Sequence, residues 1–130
     1  MTDIRLLETR NGTFRVALDG ATEAPALMFS NSLGTPLEMW DTQAKRFAST
    51  HRVVRYDTRG HGQSAVTPGP YSFDQLGDDA LAILDALKIG TTVFCGLSMG
   101  GHTALWLGVN ASARLNGLVV CNSAARIGAP

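Results

Sequence analysis

The stretch Thr91-Thr92-Val93-Phe94-Cys95-Gly96-Leu97-Ser98-Met99-Gly100-Gly101-His102-Thr103-Ala104-Leu105 decides the fold. Its first five residues form a short run of β-branched, aromatic and apolar side chains, the pattern of a buried strand. From Gly101 to Val109 an Ala- and Leu-rich segment reads as a helix. Between them stands Gly96-x-Ser98-x-Gly100. A serine on a sharp strand-to-helix turn takes a strained backbone conformation and brings its flanking segments together. Side chains at positions 96 and 100 would collide there, which is why glycine occupies both. Such a turn lifts the Ser98 hydroxyl out at the carboxyl end of the sheet, beside the N–H groups of a helix start. A dinucleotide-binding loop, the other glycine-rich strand–helix turn, needs glycine where Ser98 stands.

Working outward, strand and helix signals alternate. Thr13–Leu18 alternates apolar and polar residues before the turn Asp19-Gly20, and Ala26–Phe29 is a short apolar run. Pro36–Thr50 has broadly helical apolar spacing, Arg52–Tyr56 returns to strand character, and Asp57–Pro70 is a Gly/Pro/Ser/Thr-rich loop. Phe73–Ile89 places Phe73, Leu76, Ala80, Ile83, Leu84 and Leu87 on one helical face. Ser72 and Gln75 have capping-box spacing, and Gly90 is the expected left-handed stop. Leu115–Cys121 reads as another buried strand. Strands alternating with helices predict an α/β fold, a mostly parallel sheet with helices on both faces.

The counts bound the rest. The chain has 130 residues, a length that allows one domain, and 45% apolar residues, enough for a core. Eleven basic and eleven acidic side chains leave no net charge, which argues against a nucleic-acid surface. The N-terminus lacks a basic start followed by an apolar run, and no apolar stretch approaches the roughly 20 residues of a membrane helix. The two cysteines, Cys95 and Cys121, read as buried thiols, and no Cys/His cluster has metal-ligand spacing. A cytoplasmic protein with no metal, no cofactor, no membrane and no nucleic-acid partner is expected.

A nucleophilic serine needs two oxyanion donors. One is the backbone N–H of Met99, the residue after it. The segment Ser30-Asn31-Ser32-Leu33-Gly34-Thr35 follows an earlier strand and is the natural source of the second, nominated as the N–H of Leu33. The same segment also reads as an Asx/Ser turn capping the next helix, and the two readings are compatible.

Four blocks then resemble a known family: Ser30–Thr35 with Met39-Trp40-Asp41, Asp57-Thr58-Arg59-Gly60-His61-Gly62-Gln63-Ser64, Gly96–Gly101, and Cys121-Asn122-Ser123-Ala124-Ala125-Arg126-Ile127-Gly128. They are similar to the α/β-hydrolases, in particular the 3-oxoadipate enol-lactonase branch. The second and third blocks are general to that superfamily. The first and fourth are more distinctive, because many relatives carry a His-Gly pair where Asn31-Ser32 stands. Mapped onto that pair, the next residue is Leu33. The resemblance implies hydrolysis of a small, carboxylate-bearing enol-lactone in aromatic-compound catabolism, through an acyl-enzyme on Ser98, with Leu33 and Met99 holding the oxyanion. A generic esterase or perhydrolase of the same fold, and a non-catalytic remnant or binding module, are the competing readings.

The family's order along the chain is Ser, then an acid, then His. After Ser98 the only histidine is His102, and no Asp or Glu follows. His102 lies one turn along the same helix and reads as a helix-surface or packing residue rather than a base; His51 precedes a strand and is not expected to be the base either. His61 is expected to shape the floor of the site, and Asp57 to anchor its loop through Arg59. Asn122 and Ser123 occupy the end of the last strand, where some relatives place the acid. Residues 1–130 thus read as the N-terminal part of one α/β-hydrolase domain. The resemblance leads one to expect truncation after about the sixth strand, with the cap and C-terminal strands absent. An open apolar edge at the last strand is expected to favour self-association or pairing with a complementing C-terminal half.

Overall fold

A computed structural model describes residues 1–64, 66, 69 and 71–124. The rest of the Asp57–Pro70 loop (65, 67, 68 and 70), the Ala125–Gly128 part of the fourth block and the chain end lie outside the described residues. Six strands form one sheet: β1 (Asp3–Thr9), β2 (Gly12–Asp19), β3 (Ala26–Ser30), β4 (Arg52–Tyr56), β5 (Thr92–Leu97) and β6 (Leu115–Cys121). Their spatial order is β1-β2-β4-β3-β5-β6. β1 and β2 are an antiparallel hairpin, β2 runs antiparallel to β4, and β4, β3, β5 and β6 are parallel. A 3-10 turn, Leu37–Trp40, leads into α1 (Asp41–Phe47); α2 (Phe73–Ala86) and α3 (Met99–Asn110) follow. The order reverses at β3. The right-handed crossover rule therefore sends α1 to one face and α2 and α3 to the other.

Each face has its own core. Phe14, Val16, Met28, Val54, Tyr56 and Phe94 meet Ile83 and Leu84 of α2 and Leu107 of α3 on one side. Leu27, Phe29, Val53 and Cys95 meet Trp40 and Ala44 on the other. Every residue of β3 is buried, as befits a central parallel strand. Burying one such large apolar side chain contributes about 1.5–3 kcal/mol.

Four sequence expectations are corrected. β1 was not anticipated. It is an outer strand whose Ile4 and Leu6 face solvent, so it carries no inward apolar stripe, and only the turn residues Asn11-Gly12 signal it. β6 is a strand, but it is not buried: Leu118, Val119 and Val120 are 37–46% exposed because nothing pairs beyond it among the described residues. The helix stop is Lys88 (φ +57), not Gly90. The N–H of Lys88 donates to Asp85 O (3.0 Å) and that of Ile89 to Leu84 O (2.9 Å), a Schellman closure. It folds Ile89 back onto the core beside Leu84, which sets the left-handed residue one position before Ile89. Finally, Asp57 does not pair with Arg59. Fully buried Asp57 accepts from the N–H groups of Leu37 (2.7 Å) and Gln63 (3.0 Å) and contacts Arg15 (3.4 Å). Arg59 turns the other way, to Asp79 (two bonds of 2.8 Å) and the Asn11 carbonyl (2.7 Å), tying the β1–β2 turn to α2. Local spacing cannot reveal a partner 20 residues away. Breaking such a buried pair from one side typically costs about 3–5 kcal/mol.

Candidate active site

The residues singled out in the sequence meet at the carboxyl end of the parallel strands. β5 ends at Leu97, and Ser98 then takes φ +55°, ψ −109°, a conformation hostile to any residue with a Cβ, before α3 begins at Met99. Three hydrogen bonds hold this turn. The Ser98 N–H donates to Cys121 O (2.9 Å), and the Ser98 carbonyl accepts from the His102 N–H (3.2 Å) and from Ser123 Oγ (2.9 Å). The glycines are required by space. A Cβ on Gly96 would lie 2.0 Å from the Gly100 carbonyl oxygen, as the sequence predicts. A Cβ on Gly100 would strike Ser30 O of β3 at 2.2 Å, so its chief obstacle is the neighbouring strand. Gly101 leaves room for Ser123, whose Cβ would be 2.5 Å away. Ser123 as a brace for the elbow is a feature sequence reasoning missed; its Oγ–carbonyl bond spans 25 residues.

The Ser98 side is exposed and Met99 half-buried. Leu33 stands across from them on the loop after β3, 71% exposed. Ser32–Thr35 is a tight turn: Gly34 has φ +76°, and the Thr35 N–H and hydroxyl both reach Ser32 O (3.4 and 2.8 Å). Among the described residues the backbone N–H of Leu33 has no acceptor. Met99 is the first residue of α3, where no intrahelical acceptor exists for an N–H. Leu33, Phe73, Ser98, Met99 and His102 line one cleft of about 330 Å³. A second hollow of about 210 Å³, lined by His61, Tyr71 and Leu76 among others, shares Leu33, Phe73 and Met99 with the first. His61 lines this second hollow and not the cleft at Ser98, with its Nδ1 3.1 Å from Arg59 O.

The imidazoles do not form a base for Ser98. His102 packs its ring on Phe73 (centroids 5.3 Å apart), and His51 meets Phe47 edge-on (5.7 Å) on the far side of the sheet. No hydrogen bond joins any described imidazole to Ser98 Oγ. Cys95 is buried, and desolvation, reinforced by Cys121, raises its thiol pKa to about 11. It is a poor nucleophile at neutral pH. Cys121 is half-buried rather than buried, because it sits on the open strand. Among the described residues no group of three or more His, Cys, Asp or Glu is arranged to hold a metal ion. Among the described residues no helix is long and apolar enough to cross a membrane.

A strained serine at a strand–helix elbow, on a sheet with this strand order, is the arrangement of the alpha/beta hydrolase fold. The family model of that fold matches residues 25–129, and the chain belongs to this family. Among individual relatives, it is 51% identical over 123 residues to 3-oxoadipate enol-lactonase 1 of Acinetobacter baylyi, matching 94% of this chain and 46% of that one. It is 48% identical over 122 residues to 3-oxoadipate enol-lactonase 2 of the same organism, with the same coverage. The enol-lactonase structure from Burkholderia xenovorans LB400 superposes with a TM-score of 0.92 at 43% identity, over 95% of this chain and 48% of that one. The chain spans about half the length of the curated relatives it matches.

Proposed function

We propose that Ser98 is the nucleophile of a hydrolase acting on a small, carboxylate-bearing enol-lactone, 3-oxoadipate enol-lactone, and that the Leu33 and Met99 N–H groups form its oxyanion hole. The observation carrying this reading is the cleft itself: a hydroxyl on a strained elbow flanked by two backbone donors with no acceptor of their own. In the reaction Ser98 Oγ bonds to the lactone carbonyl carbon while its proton leaves to a base. The carbonyl electron pair moves onto oxygen, where the two amides stabilise it. Collapse breaks the ring C–O bond and expels an enolate, which takes a proton and becomes the ketone. Water then cleaves the acyl-enzyme, releasing 3-oxoadipate and restoring the Ser98 hydroxyl.

The base and its orienting acid come, in this reading, from polypeptide packed against the β6 edge. The exposed apolar run Leu118-Val119-Val120 and the adjoining groove of about 390 Å³ between Trp40, Phe47 and Val119 support that docking. The free thiols Cys95 and Cys121 favour the cytoplasm, a reducing compartment. The test pairs the chain with the part of A. baylyi enol-lactonase 2 beyond the stretch it matches, and profiles substrates. Turnover of the enol-lactone supports the reading. Turnover of simple esters with none of the lactone overturns the substrate and favours a generic esterase. Neither activity favours a non-catalytic module.

A further inference from the structure

We infer that Asn31 is a positioning residue for the oxyanion hole, acting through Trp40 and resting on the reading of Leu33 given above. Asn31 is completely buried, yet every N–H of its amide is used. Its Nδ2 donates to Tyr56 O at the end of β4 (3.0 Å) and to Thr35 O at the far side of the loop (3.2 Å). Its Oδ1 accepts from Trp40 Nε1 (2.9 Å). Trp40 is itself fixed by stacking on Phe29 of β3, with centroids 4.5 Å apart.

One side chain thus stitches both ends of the Ser30–Thr35 loop to the sheet and to the 3-10 turn. Between the stitches the chain has only the tight Ser32–Thr35 turn to form, which consumes the Thr35 N–H and leaves that of Leu33 without an acceptor among the described residues. A loop held by its own backbone alone would be free to rotate the Ser32–Leu33 peptide and turn that donor away. Preorganised donors stabilise an oxyanion because they need no reorganisation during the reaction. Aspartate has the same shape as asparagine, but it lacks both donors and would aim its charge at two carbonyl oxygens, Tyr56 O and Thr35 O. The amide is therefore required at position 31, not merely a polar group.

The test uses Asn31→Asp and Trp40→Phe, the latter removing the indole N–H together with part of the ring system while keeping an aromatic ring on Phe29. In the chain paired with the A. baylyi C-terminal part, both variants should lower kcat at least tenfold with KM within about twofold, a fraction of the 10²–10³ lost with a whole donor. Inhibition by a trifluoromethyl ketone, whose adduct needs the same two amides, should weaken by the same factor. In the chain alone, Trp40→Phe should shift the Leu33 and Thr35 amide resonances and leave those of β1 unmoved. Unchanged Leu33 resonances overturn the inference. So does lower stability with kcat and ketone inhibition intact, which would make the network purely structural. If the wild-type pair hydrolyses no lactone, it is the proposed function that fails, and the Leu33 resonances still decide the role of Asn31.

Discussion

Replacing Ser98 by glycine should stabilise this protein relative to replacing it by alanine, the reverse of the usual ranking. Ser98 has φ +55°, ψ −109°, and alanine keeps the Cβ that makes this conformation unfavourable. Strain of this kind costs about 1–3 kcal/mol. Glycine relieves it, but gives back about 0.5–1 kcal/mol through the greater freedom of its unfolded chain. The net advantage of Ser98→Gly over Ser98→Ala is therefore about 1.2 kcal/mol at mid-range, within limits of about 0–2.5 kcal/mol. At about 2.1 cal/mol/K per residue, the unfolding entropy of a chain this size turns each kcal/mol into about 4 °C. The melting points should differ by about 5 °C at that mid-range value. Both variants lack the hydroxyl, and the backbone bonds to Cys121, His102 and Ser123 remain available to each. Urea unfolding followed by the fluorescence of Trp40 and Trp106 reads the difference. An alanine variant as stable as the glycine variant would refute a strained elbow.

Three further outcomes follow from named contacts. Gly77 of α2 lies under the Trp106 ring, where an added Cβ would be 2.0 Å from Cε3. Gly77→Ala should destabilise by about 1–3 kcal/mol, whereas in a Trp106→Ala background it should stabilise by up to about 1 kcal/mol, as urea midpoints will show. With its pKa near 11, Cys95 is about 0.1% thiolate at pH 8. Its alkylation by iodoacetamide, followed by peptide mass spectrometry, should be slow and rise about tenfold per pH unit up to that value. Asp78 is held below the ordinary aspartate range by hydrogen bonds from Asn11 and Arg10. A lowered folded-state pKa adds stability above the unfolded value, lost as pH falls through the folded one. Acid unfolding should therefore begin below about pH 4. Replacing Asn11 with alanine should flatten that dependence, whereas an unchanged acid limb would count against the pairing.

The elbow was legible because steric necessity writes itself into consecutive residues. A serine at positive φ against β3 forces glycine at 96 and 100, and a strand and helix signature flanks them. Helix α2 was legible because its periodicity and its Ser72 cap, which accepts from the Gln75 N–H at 3.1 Å, are local. What failed to show was set by distant parts of the chain. An apolar run such as Leu115–Cys121 looks the same whether a neighbour covers it or not, so the exposure of β6 was hidden. β1 borrows its order from the β2 ladder and turns Ile4 and Leu6 outward, with Leu7 alone packing against the core. Asp57 could be assigned a role but not its partners, because Leu37, Gln63 and Arg15 reach it from three segments. Loop position and the family resemblance both point to Leu33, while the Asn31–Trp40 bond that ties the loop down is visible only in three dimensions.

The most direct test of the central claim is hydrolysis of 3-oxoadipate enol-lactone by the chain paired with the C-terminal part of A. baylyi enol-lactonase 2, with and without Ser98→Ala. If Ser98 is the nucleophile, the paired wild-type chain opens the lactone and the alanine variant loses at least about a thousandfold in kcat/KM. Equal lactone hydrolysis by the two would contradict the account.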